Sequence, residues 1–128
     1  MQAQTTDQIT ASPLDNLEET VMELIINAGE SKSCAMQALY AAKSGKWDDV
    51  DGLLEEATAA SKRAHKVQTA LIGMDQGTGN VQVNLIMVHA QDHIMTAMLA
   101  RELIEELIDV HRKLQDIPVT NQDAFISH

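Results

Sequence analysis

Aromatic residues are nearly absent from this chain: one Trp, one Tyr and one Phe in 128 residues. A core built without them must use Leu, Ile, Val, Met and Ala, which suits close-packed helices better than a sandwich or barrel. A single cysteine, Cys34, leaves no internal disulfide and fits a reducing compartment. The first residues, MQAQTTDQITASP, contain no Lys or Arg and no apolar run, so they do not read as a signal peptide. No apolar run approaches the ~18 residues needed to span a bilayer, and a cytoplasmic location is expected. Basic residues are scarce as well. Nine Lys and Arg face 19 Asp and Glu, and the net charge of −10 argues against nucleic acid and anionic membranes. It favours a basic protein partner instead.

Helix-forming pattern fills most of what remains. Ser12-Pro13-Leu14-Asp15 reads as a helix start, with Ser as cap and Pro in the first turn. The first helix then runs to about Ser44, and Gly45 ends it. Gly29 lies inside this helix, where Gly costs about 1 kcal/mol relative to Ala, so close approach by another backbone is expected there. A second helix starts at Trp47-Asp48-Asp49 and continues through Leu71, and Asp75–Asn80 (DQGTGN) is a turn. The third stretch, Val83–Leu114, has no Gly or Pro in 32 residues. Arg112 and Lys113 mark its end, with Pro118 beyond.

Short loops join antiparallel neighbours, so the expected fold is all-α: an antiparallel up-down-up three-helix bundle. The domain is expected over residues 14–115, with a disordered N-terminal tail at 1–13 and a flexible C-terminal tail at 116–128.

The third helix is apolar over too much of its circumference. Leu85, Val88, Leu99, Leu103, Leu107, Val110 and Leu114 gather on one arc, with Ile86, Ile104 and Ile108 on its flank. The whole spans roughly 200°, about twice what one core requires. The excess predicts a surface packed against other copies of the chain, in coiled-coil-like fashion.

Within that arc sit His89, Asp92 and His93. The two histidines are one turn apart on one face, and Asp92 lies about 60° round from His89. His65, on the second helix, is expected at the same level as His89 in an antiparallel pair. His111 shares the face of His93 but lies about 27 Å along the axis. Ordinary structural readings exist for each: a satisfied core imidazole for His89 and His93, a register-fixing polar seam for Asp92, a small buried hydrophobe for Cys34, packing for Met87, Met95 and Met98, and a solvated face for Glu102, Glu105, Glu106 and Asp109. Three ionisable groups within so apolar an arc tilt the reading toward function.

The chemistry narrows by elimination. Ala90 follows the first histidine where a zinc protease needs Glu. Glu-x-x-His pairs for a di-metal bundle are missing from the other helices, and neither an oxyanion hole nor a phosphate-cradling Gly-rich loop is evident. An imidazole nucleophile that carries a group without hydrolysing it remains. A metal-binding bundle using His65, His89, His93 and Asp92, and a purely structural trimer, stay open as alternatives.

The stretch Val88-His89-Ala90-Gln91-Asp92-His93-Ile94-Met95-Thr96-Ala97-Met98 resembles the signature of the enzyme IIA component, lactose/cellobiose class, of the sugar phosphotransferase system. Ala64–Thr69 and Leu24–Gly29 are similar too, and Leu99–Ile108 resembles the N,N′-diacetylchitobiose-specific members. The likeness covers about residues 15–115. It implies a homotrimer whose His89 accepts a phosphoryl group from the phosphorylated histidine phosphocarrier protein. His89 would pass the group to the cysteine of a cognate enzyme IIB, which serves the membrane permease enzyme IIC in the uptake of a β-linked disaccharide of the diacetylchitobiose or cellobiose type. It further implies that Asp92 lies on the trimer axis, where Mg²⁺ or another divalent cation could be held, and it calls for no organic cofactor. His93 is expected to assist as a hydrogen-bond donor. Gln91 points about 160° away from His89, so it could assist only from a neighbouring subunit.

Overall fold

The structure, a computed structural model described for residues 16–116, contains α1 (Leu17–Lys43), α2 (Trp47–Asp75) and α3 (Leu85–Gln115). The expected start at Ser12-Pro13 and both tails lie outside the described residues, apart from Asp116, which caps α3.

Cross-helix contacts fix the directions. Ser31 donates to the carbonyl of Ala57 at 2.9 Å, and Arg63 Nε donates to Asn27 Oδ1 at 3.0 Å, so numbering rises on α1 as it falls on α2. Gln68 donates to Gln91 at 2.8 Å and Trp47 Nε1 to Gln115 at 2.7 Å, which runs α3 antiparallel to α2. The expected up-down-up bundle follows.

Each junction has a local cause. Gly45 adopts φ +75°, its N–H bonds to Ala42 O at 3.1 Å, and Lys46 N bonds to Ala41 O at 2.8 Å. That pair of bonds is the Schellman arrangement, which closes the carbonyls left open at a helix end. At the far end of α2, Gln76 enters the left-handed region at φ 55° and Gly77 follows at φ 69°. The Asp75 carboxylate then accepts from Val81 N at 3.0 Å and ties the loop down. Asn84 caps α3, its side chain accepting from Met87 N at 3.0 Å.

The shared element is α1, not α3. Helix α1 packs closely along both others, whereas α2 and α3 approach each other only sparsely. Its inward positions are mostly small: Ala28, Ser31, Ala35, Ala38 and Ala42 are essentially buried. Small side chains let two helices approach one, and the core they enclose is filled by Leu24, Ile94, Met87, Ile104 and Ile108. Burying each of these larger side chains stabilises the fold by about 1.5–3 kcal/mol. The absence of aromatic cores in the sequence is thus matched by alanine-mediated contact.

On α3 the buried side is Met87, Ala90, Ile94, Ala97, Ile104 and Ile108. The arc on which the sequence concentrates leucine lies roughly 150° from it and is uncovered in the single chain: Leu85, Val88, Leu99, Leu103, Leu107, Val110 and Leu114 are all about half exposed or more.

Cys34 is buried between α1 and α2, as its reading as a small hydrophobe requires, and its Sγ donates to Glu56 Oε2 at 3.6 Å. Burial, the bond to Glu56, and the negative charges of Glu56 and Glu30 push the thiol above its ordinary value. The unfolded chain therefore loses this proton at lower pH than the folded chain. Stability from this group is intact below the unfolded thiol's value and falls as the pH rises through the folded one. Urea unfolding at pH 7 and pH 10 is expected to show a larger loss of midpoint for the parent than for Cys34→Ala; equal losses would remove Cys34 as the cause.

Candidate functional site

The capped start of α3 places His89 in the second helical turn. Val88 N bonds to Asn84 O at 3.0 Å and continues the ladder begun by the cap. One turn further on, the His93 ring stacks on His89, with centroids 5.6 Å apart and planes 13° from parallel. Both lie on the border between the side of α3 that meets α1 and the uncovered apolar arc. His89 is exposed and His93 half-buried. In the single chain the apolar residues around them face outward, along the arc whose excess suggests contact between copies.

The close approach at Gly29 also has a different cause from the one expected. A Cβ built there would lie 3.3 Å from Nε2 of His93. The space belongs to an imidazole and not to another backbone.

Asp92 is exposed in the middle of the arc, level with Leu85, Leu99, Leu103 and Val110 around the helix. Its main-chain carbonyl accepts from the Thr96 hydroxyl at 2.8 Å. Its carboxylate takes part in no ion pair among the described residues. Within one chain, no cluster of three or more His, Cys, Asp or Glu converges among the described residues. Any cation at Asp92 would therefore need carboxylates from several copies, and a free carboxylate is a suitable hard oxygen donor for such an ion.

His65 is exposed on α2 and joins none of these groups, so the four-ligand site of His65, His89, His93 and Asp92 is not assembled. It is Gln68 that faces α3. Gln68 is 8% exposed and donates both to Gln91 Oε1 at 2.8 Å and to Met95 Sδ at 3.6 Å. Gln91 is thus held, half-buried, by its own chain on the α2 side. Gln68 lies within the Ala64–Thr69 stretch that carries the family likeness, but the sequence assigns it no role of its own. The available signal was a polar side chain interrupting the inward Ala57-Ala60-Ala64-Leu71 row. His111 lies near the far end of α3, where Arg112 covers the Trp47 ring at 4.6 Å.

Beside His89 opens a hollow of about 450 Å³ whose walls are Leu85, Ile86 and His89 alone. Neither Lys nor Arg lines it. An exposed imidazole at an apolar hollow is accessible to another protein. The walls of the hollow therefore offer no Lys or Arg charge to a transferring phosphoryl group.

The model of the lactose/cellobiose-specific IIA subunit of the phosphotransferase system matches residues 19–112. The chain belongs to this family. It is an enzyme IIA of the chitobiose, lactose and cellobiose class, a phosphotransferase component of a phosphoryl relay. It is 49% identical over 106 residues to the N,N′-diacetylchitobiose-specific EIIA component of Escherichia coli K12, covering 83% of this chain and 91% of that one. Among solved structures, the cellobiose-specific enzyme IIA of Bacillus anthracis superposes with a TM-score of 0.76 at 33% identity, over 88% of this chain and all of that one. The IIA(Chitobiose) of E. coli, solved in complex with HPr, gives a TM-score of 0.68 at 48% identity, over 82% of this chain and 99% of that one. No helix of this IIA among the described residues is long and apolar enough to cross a membrane.

Proposed function

We propose that this IIA carries the phosphoryl group on His89. The group arrives from the phosphorylated histidine phosphocarrier protein and leaves to the cysteine of a cognate enzyme IIB, for uptake of a β-linked disaccharide of the diacetylchitobiose or cellobiose type through enzyme IIC. The observation that carries this reading is the exposed His89 imidazole, stacked on His93 at the edge of an uncovered apolar arc. A relative solved in complex with HPr supports the donor. In the first step a His89 ring nitrogen attacks phosphorus with its lone pair, an N–P bond forms, and the donor's N–P bond breaks. In the second, a thiolate of enzyme IIB attacks, an S–P bond forms and His89 regains its lone pair. His93, packed beside the acceptor, would assist by donating a hydrogen bond to the phosphoryl oxygens.

Three copies would close the apolar arcs of α3 into a cytoplasmic homotrimer, keeping water from the phosphoramidate. Gln91, held by Gln68, would approach a neighbour's site from its own subunit. Three Asp92 carboxylates would then meet near the axis. There they would offer hard oxygen donors that could hold a divalent cation such as Mg²⁺.

Incubation with the phosphorylated donor proteins is expected to place one acid-labile, alkali-stable phosphate per chain, mapped by peptide analysis to His89. Phosphate on another residue, or none, overturns the assignment.

A further inference from the structure

We infer that Gly29 of α1 is a positioning residue for phosphoryl transfer, acting through His93. The inference rests on His89 being the acceptor. Gly29 lies deep within α1 and takes no left-handed backbone angle, so neither a turn nor a cap calls for glycine. Helix propensity at such a position favours alanine. What glycine supplies is room: a Cβ would stand 3.3 Å from His93 Nε2, inside the 3.4–4 Å of ordinary contact. Among the described glycines it is the one whose added Cβ meets anything within 4 Å.

The His93 ring is thereby confined between two surfaces, the bare backbone of α1 and the face of the His89 ring 5.6 Å away. Adding a methyl group to α1 requires the ring to give by a few tenths of an ångström. The stack with His89 is where that displacement is felt. A displacement of the reacting geometry by about 1 Å can cost 10²-fold in rate, so a shift of this size is expected to cost about three- to tenfold.

Gly29→Ala is the test, read by phosphoryl uptake and by the imidazole ¹⁵N and ¹H resonances of the unphosphorylated protein. The variant is expected to remain helical and melt no lower than the parent, to take up phosphate about three- to tenfold more slowly, and to show shifted His93 and His89 ring resonances. In a His93→Ala background the same substitution is expected to alter neither the rate nor the His89 resonances. If His93→Ala alone takes up no phosphate, the His89 resonances make that comparison.

Unchanged rate with unmoved resonances overturns the inference, and so does an equal effect in the His93→Ala background. Misfolding rescued by His93→Ala supports it; misfolding that persists overturns it. Should the parent carry its phosphate elsewhere than His89, the acceptor assignment fails by itself. The resonance comparison then still decides whether Gly29 sets the His93 ring.

Discussion

With Ala in place of His89, phosphoryl uptake is expected to fall below detection while helicity and assembly stay as in the parent. The loss should be total because no second nucleophile is equivalently placed. His93 is half-buried, its Nε2 against Gly29 and its face against His89, so it lacks an open line to a donor. His65 is exposed, but it stands on α2, away from the α3 border. His111 sits near the opposite end of α3, about 33 Å along the helix axis from His89. Removing an exposed side chain leaves the packing intact, which separates loss of chemistry from loss of fold. His93→Ala supplies the contrast. On the proposed reading it would remove an assisting donor and not the acceptor, so uptake should persist at a reduced rate, by about 10–10³-fold for one hydrogen bond to a transferring group. Equal, complete loss in both variants would point to the pair acting as one unit. Retained labelling in His89→Ala would move the acceptor elsewhere.

What the sequence made legible was whatever depends on local chemistry. Gly45 ends α1 because only a residue tolerant of φ +75° closes that turn, and this can be read without knowing the fold. The uncovered arc on α3 was legible for a related reason. Periodicity counts apolar side chains around a helix, and a surplus shows whichever partner covers it. What covers each side was not legible. Leucine dominates any periodicity and makes α3 the most conspicuous helix of the sequence. Alanine carries little weight in such a pattern, yet Ala28, Ala35, Ala38 and Ala42 are what make α1 the helix both others touch. The same limit hid the neighbour of Gly29. The cost of an interior glycine announces that something comes close, and only the packing says that it is His93. The pairing of Gln68 with Gln91 joins residues 23 apart in sequence, and nothing local to either one specifies it.

Charging the arc should take the assembly apart. Leu99 and Leu103 are 56% and 54% exposed in the single chain and belong to neither of its core clusters. Leu99→Glu with Leu103→Glu is therefore expected to leave each chain helical while driving the proposed trimer to monomers at micromolar concentration. Each leucine removed from an interface forfeits about 1.5–3 kcal/mol, and each carboxylate forced into its place costs several kcal/mol unless paired. In the proposed trimer three copies would contribute six such sites. Asp92→Leu bears on the same face with the opposite sign. It removes one facing charge per chain, so the trimer should persist or tighten, unless Asp92 is needed to hold a cation. Analytical ultracentrifugation of the three proteins, with and without chelator, reads both effects. A parent that is already monomeric, or a double variant that sediments like the parent, would show that copies of this chain do not meet along α3. If the double variant is monomeric and helical yet takes up phosphate at the parental rate on His89, neighbouring subunits shelter the site without contributing to its chemistry.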